Sequence, residues 1–145
     1  MRRMCDPRVM NDVWWASGDA LARVPAVHGA YILEWRLESP LRVRFSRDRE
    51  VGLGPGRVRY VGSAWGPGGL AARVGRHLRP RGRRDRWHVD TLTRVAYPHR
   101  VGWRVGGHEC DIVRSLLEDG WSAPAAGFGA SDCRRCPAHL VAEKG

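Results

Sequence analysis

Five side chains in this sequence have the types and placement needed to hydrolyse a phosphodiester: Tyr31, Tyr60, Arg73, His77 and Glu109. A phenol can position or deprotonate a water, an arginine can meet charge building on a pentacovalent phosphate, and a histidine can relay a proton. A carboxylate can hold the divalent cation that such chemistry uses. Three of the five fall within Arg59 to Leu78, RYVGSAWGPGGLAARVGRHL, where a short strand runs into a glycine-rich turn and then a helix. Arg73 and His77 stand one turn apart on that helix and so share a face. Gly62, Gly66, Gly68 and Gly69 let backbone and substrate approach closely, and a helix start attracts phosphate. A free phenol ionises near pH ~10, so either tyrosine needs a neighbouring cation or arginine to serve as a base.

Positioning these groups falls to a short series of elements. Tyr31, Leu33, Trp35 and Leu37 alternate with Glu34 and Arg36, which predicts a half-buried strand from Gly29 to Leu37. After the Ser39-Pro40 turn, Leu41, Val43 and Phe45 alternate with Arg42 and Arg44, a second strand expected to form a hairpin with the first. Residues 47–56 carry turn residues, and RVRYVG then makes a third strand with Val58, Tyr60 and Gly62 on one face. Alternating segments joined by short turns favour an antiparallel sheet.

Helices follow. Leu70, Ala71, Val74 and Leu78 form the apolar stripe of a helix over 69–78, with Arg73 and His77 on its shoulder and Arg76 and Arg79 toward solvent. A second short helix is expected over 87–96, with Val89, Leu92 and Ala96 inward, and a strand over 100–105 around Trp103. In a last helix, Ile112, Val113, Leu116 and Leu117 line up behind Glu109, so the carboxylate heads the buried stripe while Asp111, Ser115 and Glu118 take the outside. Gly120 ends it. A buried carboxylate needs a cation, a donor or a proton, which makes Glu109 the candidate metal ligand. Placement in a first helical turn, favoured by the helix dipole, is the plainer explanation of it. The tail from Gly127 reads as a loop with a short closing segment.

The length suits one domain, read as an extension over residues 1–24 and a domain over 25–145. The extension carries weak helical periodicity through Val13, Trp14, Trp15, Leu21 and Val24, closed by Pro25. The formal charge is +10, from 25 Lys+Arg against 15 Asp+Glu, and every basic residue except Lys144 is arginine. That excess points to a polyanion, with nucleic acid ahead of a membrane because no long apolar segment is present. The start of the chain lacks the apolar core of a secretory signal, and four cysteines do not make a disulfide scaffold, so a cytoplasmic location is expected. Cys133 and Cys136 in CRRCPAH, with His139 and the distant Cys110, could supply tetrahedral ligands to a structural zinc ion. Buried reduced cysteines beside a core histidine explain the same residues without a metal.

The motif set Gly29-Ala30-Tyr31, Tyr60-Val61-Gly62, Arg73, His77 and a later helical Glu109 resembles the GIY-YIG nuclease superfamily. YVGSA, RVGRHL, WHVDTL, HEC and GFGASDC with a closing HL are similar to the branch of Uri superfamily endonucleases, over about residues 28 to 141. The resemblance implies an α+β fold with a small antiparallel sheet, about three-stranded and open to extension, flanked by helices. It implies magnesium- or manganese-dependent endonuclease activity on DNA. By position, Tyr31 or Tyr60 would orient or deprotonate the attacking water, and Gly62 would permit close packing beneath the scissile phosphate. Arg73 would stabilise the transition state, His77 would assist proton transfer, and Glu109 would hold the metal. The residues placed against DNA are Gly62, Ser63, Arg76, Arg79, Arg81, Arg83, Arg84 and Arg86, most of them in the arginine loop over 79–86.

The spacing from Tyr31 to Tyr60 is longer than the short hairpin usual in that superfamily. The asparagine that many members carry after the glutamate helix has Ser131 or Asp132 as its nearest counterpart. RNA stays open as a partner beside DNA, and a monomer or transient dimer is expected. Two other functional classes share these features: a non-catalytic nucleic-acid-binding module on the same scaffold, and a zinc-stabilised interaction domain.

Overall fold

Strand β2, Gly29–Leu37, is buried on both faces over most of its length, which makes it the centre of the sheet. The computed structural model describes residues 13–79, 88–128 and 138–143. Outside them lie Arg81, Arg83, Arg84 and Arg86 of the arginine loop, Cys133 and Cys136 of the proposed zinc site, and Ser131 and Asp132.

On one side β2 pairs antiparallel with β5, Gly56–Ala64, and on the other with β6, Arg100–Val105. Strands β1, Trp14–Ser17, and β7, Leu140–Ala142, close the two edges, giving an antiparallel sheet of order β1-β6-β2-β5-β7. The architecture is α+β, with helices on both faces. The helical periodicity read at the N-terminus gives way to β1 and a 3-10 turn at Ala20–Ala22, because the backbone of Trp14–Ser17 finds partners along β6.

The hairpin expected between the first two strands does not form. Strand β3, Leu41–Ser46, pairs instead with β4, Arg49–Leu53, in a separate two-stranded sheet. The segment read as turn residues thus holds a strand of its own, with Val51 and Leu53 buried. This ribbon interrupts the long link from β2 to β5, so Tyr31 and Tyr60 still reach adjacent strands.

Side chains alternate across the sheet as the period of a strand requires. Tyr31, Leu33, Trp35, Val58 and Tyr60 join the core that includes Leu70 and Val74 of helix α1, Gly69–Leu78, and Val89 and Leu92 of helix α2, Val89–Val95. On the opposite face Ala30, Ile32 and Val61 pack with Ile112, Val113 and Leu116 of helix α3, Glu109–Glu118. Ser115, expected outside, is buried.

Glu34 breaks the apolar pattern of the α3 face. Its register partners are Arg59 on β5 and Arg100 on β6. Both bind it, Arg59 Nε to Oε1 at 2.8 Å and Arg100 Nε to Oε2 at 2.7 Å. Trp15 covers the two guanidiniums at 4.9 and 4.0 Å. A fully buried carboxylate is tolerable here because each oxygen has a charged donor.

Candidate active site

Two backbone constraints set the position of α1. Gly68 and Gly69 have φ of +82° and +61°, and a Cβ on Gly69 would overlap the carbonyl of Val27. That carbonyl accepts the Leu70 N–H at 2.8 Å, tying the start of α1 to the segment leading into β2. The helix then turns Arg73 and His77 toward β5 and β2, on the one side of α1 that their spacing predicts. His77, read as a shoulder residue, is in fact fully enclosed at 1% exposure.

Tyr31 and His77 meet directly: Tyr31 Oη and His77 Nε2 are 2.6 Å apart. The ring of Tyr31 lies across Gly62, its register partner on β5, where a Cβ would overlap Cζ and Oη. The space that glycine provides is therefore filled by the phenol, whereas the sequence reading reserved it for a phosphate. Tyr60 stands beside them, its ring centroid 6.3 Å from both Tyr31 and His77. Arg73 donates from Nη1 to the Ser63 carbonyl at 3.0 Å and also hydrogen-bonds the Tyr31 side chain.

Behind His77 is Asp90, a residue the sequence reading passed over. Its carboxylate is fully buried and is gripped by both Nη atoms of Arg76 at 2.9 Å. Asp90 Oδ1 also lies 3.8 Å from His77 Nδ1. Arg76, expected to reach solvent and DNA, is thus committed to an internal fork. The available signal was the position of Asp90 in WHVDTL, beside Val89 and within the inward arc that contains Leu92 and Thr93. A negative oxygen facing Nδ1 favours the tautomer with its proton there, leaving Nε2 to accept from the Tyr31 hydroxyl.

Burial pushes the Tyr31 phenol well above its ordinary range, with the neighbouring Tyr60 adding to the rise, and the Arg73 charge and hydrogen bond opposing it. Tyr60 is likewise raised, mainly by burial and next by the charge of Glu109. Neither tyrosine is a ready phenolate. Arg73 alone therefore does not activate either phenol.

Glu109 opens α3, after His108 at the N-cap. Burial raises its carboxyl, and the Arg73 charge only partly opposes that. Its charge adds to the rise of both phenols. Glu109 Oε2 lies 3.5 Å from His139 Nδ1, so this member of the proposed zinc set faces the carboxylate.

Among the described residues no group of three or more His, Cys, Asp or Glu forms a metal cage. Magnesium does not require one, since it keeps several waters and is commonly held through one or two carboxylates plus substrate phosphate. A desolvated carboxylate with raised pKa fits that mode, because a cation would relieve the charge that burial disfavours. Of the proposed DNA contacts, Arg79 is exposed at the end of α1 and Ser63 is half-buried with its carbonyl taken by Arg73. No helix among the described residues is long and apolar enough to cross a membrane.

Comparison with known proteins brings no match among curated proteins or solved structures. A family model does match, over residues 30–144, spanning β2 through the closing strand and therefore every member of the cluster. The chain belongs to the family described as Domain of unknown function DUF123.

Proposed function

We propose that this protein is a metal-dependent DNA endonuclease of GIY-YIG type, related to the Uri branch, that hydrolyses phosphodiester bonds. The observation that carries the proposal is the Tyr31–His77 hydrogen bond beside Tyr60 and Arg73, built from two strands and one helix, with the charge of Glu109 on α3 acting on both phenols. Packing alone does not call for a hydrogen-bonded phenol and imidazole beside an arginine and a desolvated carboxylate.

The raised phenol assigns Tyr31 to a relay and not to a resting base. As water attacks phosphorus, Tyr31 Oη accepts its proton while passing its own to His77 Nε2. The charge of Asp90, 3.8 Å from Nδ1 and beyond hydrogen-bond distance, favours the accepting tautomer and steadies the imidazolium that results. Arg73 faces the charge that develops on the phosphoryl oxygens. Glu109 would hold a hydrated Mg²⁺ or Mn²⁺, which when bound neutralises the phosphate and the leaving oxygen. Arg79 and the arginines beyond it supply the backbone contacts that a DNA partner would need.

The test is incubation of supercoiled plasmid and structured oligonucleotides with Mg²⁺ or Mn²⁺, beside Glu109→Gln. Cleavage by the parent and its loss in the variant are expected. Equal cleavage in both would remove Glu109 from the reaction.

The burial of both phenols, which pushes them above their ordinary range, favours a second reading, a non-catalytic nucleic-acid-binding module. That reading predicts DNA binding by the parent with no cleavage under any divalent ion, and binding unchanged in Glu109→Gln and Tyr60→Phe.

A further inference from the structure

Trp65 is a large aromatic ring at the surface, with its indole N–H anchored. It follows β5 directly, is 45% exposed, and its Nε1 donates to the Gly107 carbonyl at 3.1 Å. His108 stacks on it with ring centroids 5.2 Å apart and planes only 2° from parallel. His28 approaches at 5.2 Å with a 35° tilt. All three residues are exposed. A parallel pair at that separation is offset, so part of the indole face remains uncovered.

The position of this stack gives it meaning. His108 is the N-cap of α3 and immediately precedes Glu109. Trp65 lies just past Ser63, whose carbonyl orients Arg73. A Cβ on Gly66 would sit only 3.9 Å from Arg73 Nη2. The aromatic surface therefore adjoins the proposed chemical cluster along the chain, through the segments that carry Ser63 and Glu109. Three different segments, before β2, after β5 and before α3, contribute its rings.

We infer that His28, Trp65 and His108 form a stacking platform for an unpaired nucleobase adjoining the scissile phosphate. The inference rests on the nuclease reading and narrows it to DNA with an unstacked nucleotide at the cleavage site. Base stacking on aromatic rings tolerates any sequence, because every base has a π face. A paired base inside a duplex has both faces covered and cannot use such a platform. The net charge of +10 suits the accompanying phosphates.

The test compares the full chain, Trp65→Ala, Trp65→Phe and Trp14→Ala, each checked for its fold by circular dichroism. Trp14 is also exposed but lies on the edge strand β1. The probes are a single strand carrying 2-aminopurine and the matching full duplex, bound in calcium. Quenching of 2-aminopurine by the parent and by Trp14→Ala is expected. Trp65→Ala should lose the quenching and weaken single-strand binding about tenfold, with duplex binding changed less than about twofold. Trp65→Phe should retain most of both, which separates loss of stacking from loss of fold. Unchanged single-strand affinity and quenching in Trp65→Ala would overturn the platform, as would equal weakening on both probes. If the platform fails while metal-dependent cleavage persists, the nuclease reading stands alone. No DNA binding by the parent would overturn both.

Discussion

The ring of Tyr31 occupies the space above Gly62, directly across the β2–β5 ladder, and this contact fixes where the phenol can meet His77. The tyrosine of one motif and the glycine of the other are thus a single packing unit. Gly62→Ala should force the ring or the strand to move, with a loss of about 1–3 kcal/mol as for other overpacked cores. Urea denaturation measures it. A stability within ~0.3 kcal/mol of the parent would mean that the ring moves aside freely.

Tyr31, His77 and Asp90 should act as one chain in catalysis. Tyr31→Phe and His77→Asn should each reduce kcat about a hundredfold or more, and the double variant little further, because either change breaks the same relay. Asp90→Asn should reduce kcat at least tenfold and alter the shape of the pH–rate profile, since it removes the charge that selects the tautomer. Strict additivity of the first two losses in single-turnover assays would show that they act separately.

Glu109 is disfavoured as a charge by its own burial. Glu109→Gln should therefore be at least as stable as the parent without metal, and should lose any thermal stabilisation by Mg²⁺ or Mn²⁺. A fall of several degrees in the metal-free melting temperature would assign Glu109 a structural task through His139.

The buried Glu34 network should dominate the acid limb of stability. Burial pushes the Glu34 carboxyl up, but hydrogen bonds from Arg100 and Arg59 outweigh it and hold the group below its ordinary value. Its stabilisation is then complete above the unfolded value near ~4.3 and is lost as pH falls through the folded one. Glu34→Gln should cost about 3–5 kcal/mol at neutral pH, because Arg59 would stay buried without its counter-charge, and the acid slope should flatten. Urea midpoints taken across acidic pH in both proteins test this.

Alkaline pH should act through the two buried phenols. Tyr31 and Tyr60 are raised by burial, so their contribution is intact below the unfolded value near ~10 and is lost as pH rises through the folded values. Tyr60→Phe should shift that alkaline limb upward in pH, and ultraviolet titration should show both phenols ionising only with unfolding. A phenolate absorbance near neutral pH in the folded protein would reverse the relay argument and make a tyrosine the resting base.

Much of this was legible in the order of residues. The alternation from Tyr31 to Leu37, the glycine pair before Leu70, and the stripe of Leu70, Val74 and Leu78 record local rules of strand, turn and helix. The elements Gly69–Leu78, Arg100–Val105 and Glu109–Glu118 follow from such rules because their apolar faces repeat at the helical or strand period. The spacing of Arg73 and His77 likewise put them on one side of α1, and the position of Glu109 placed it at the head of its stripe. Pairing partners were less accessible. Strand β3 satisfies a hairpin with β2 as well as it satisfies one with β4, both across short turns, and the pattern of β3 alone does not choose between them.

Tertiary contact alone decided the electrostatics. Asp90 has the sequence context of a first-turn acid on a short helix, yet the fold turns it inward between Arg76 and His77. Arg76 loses its route to solvent for the same reason. Trp65, His28 and His108 are far apart along the chain and become one surface only when β2, β5 and α3 converge. Local sequence specifies backbone geometry and which face is apolar, because those depend on near neighbours. Desolvation and charge pairing depend on groups distant in sequence, and only the folded chain brings those groups within range of one another.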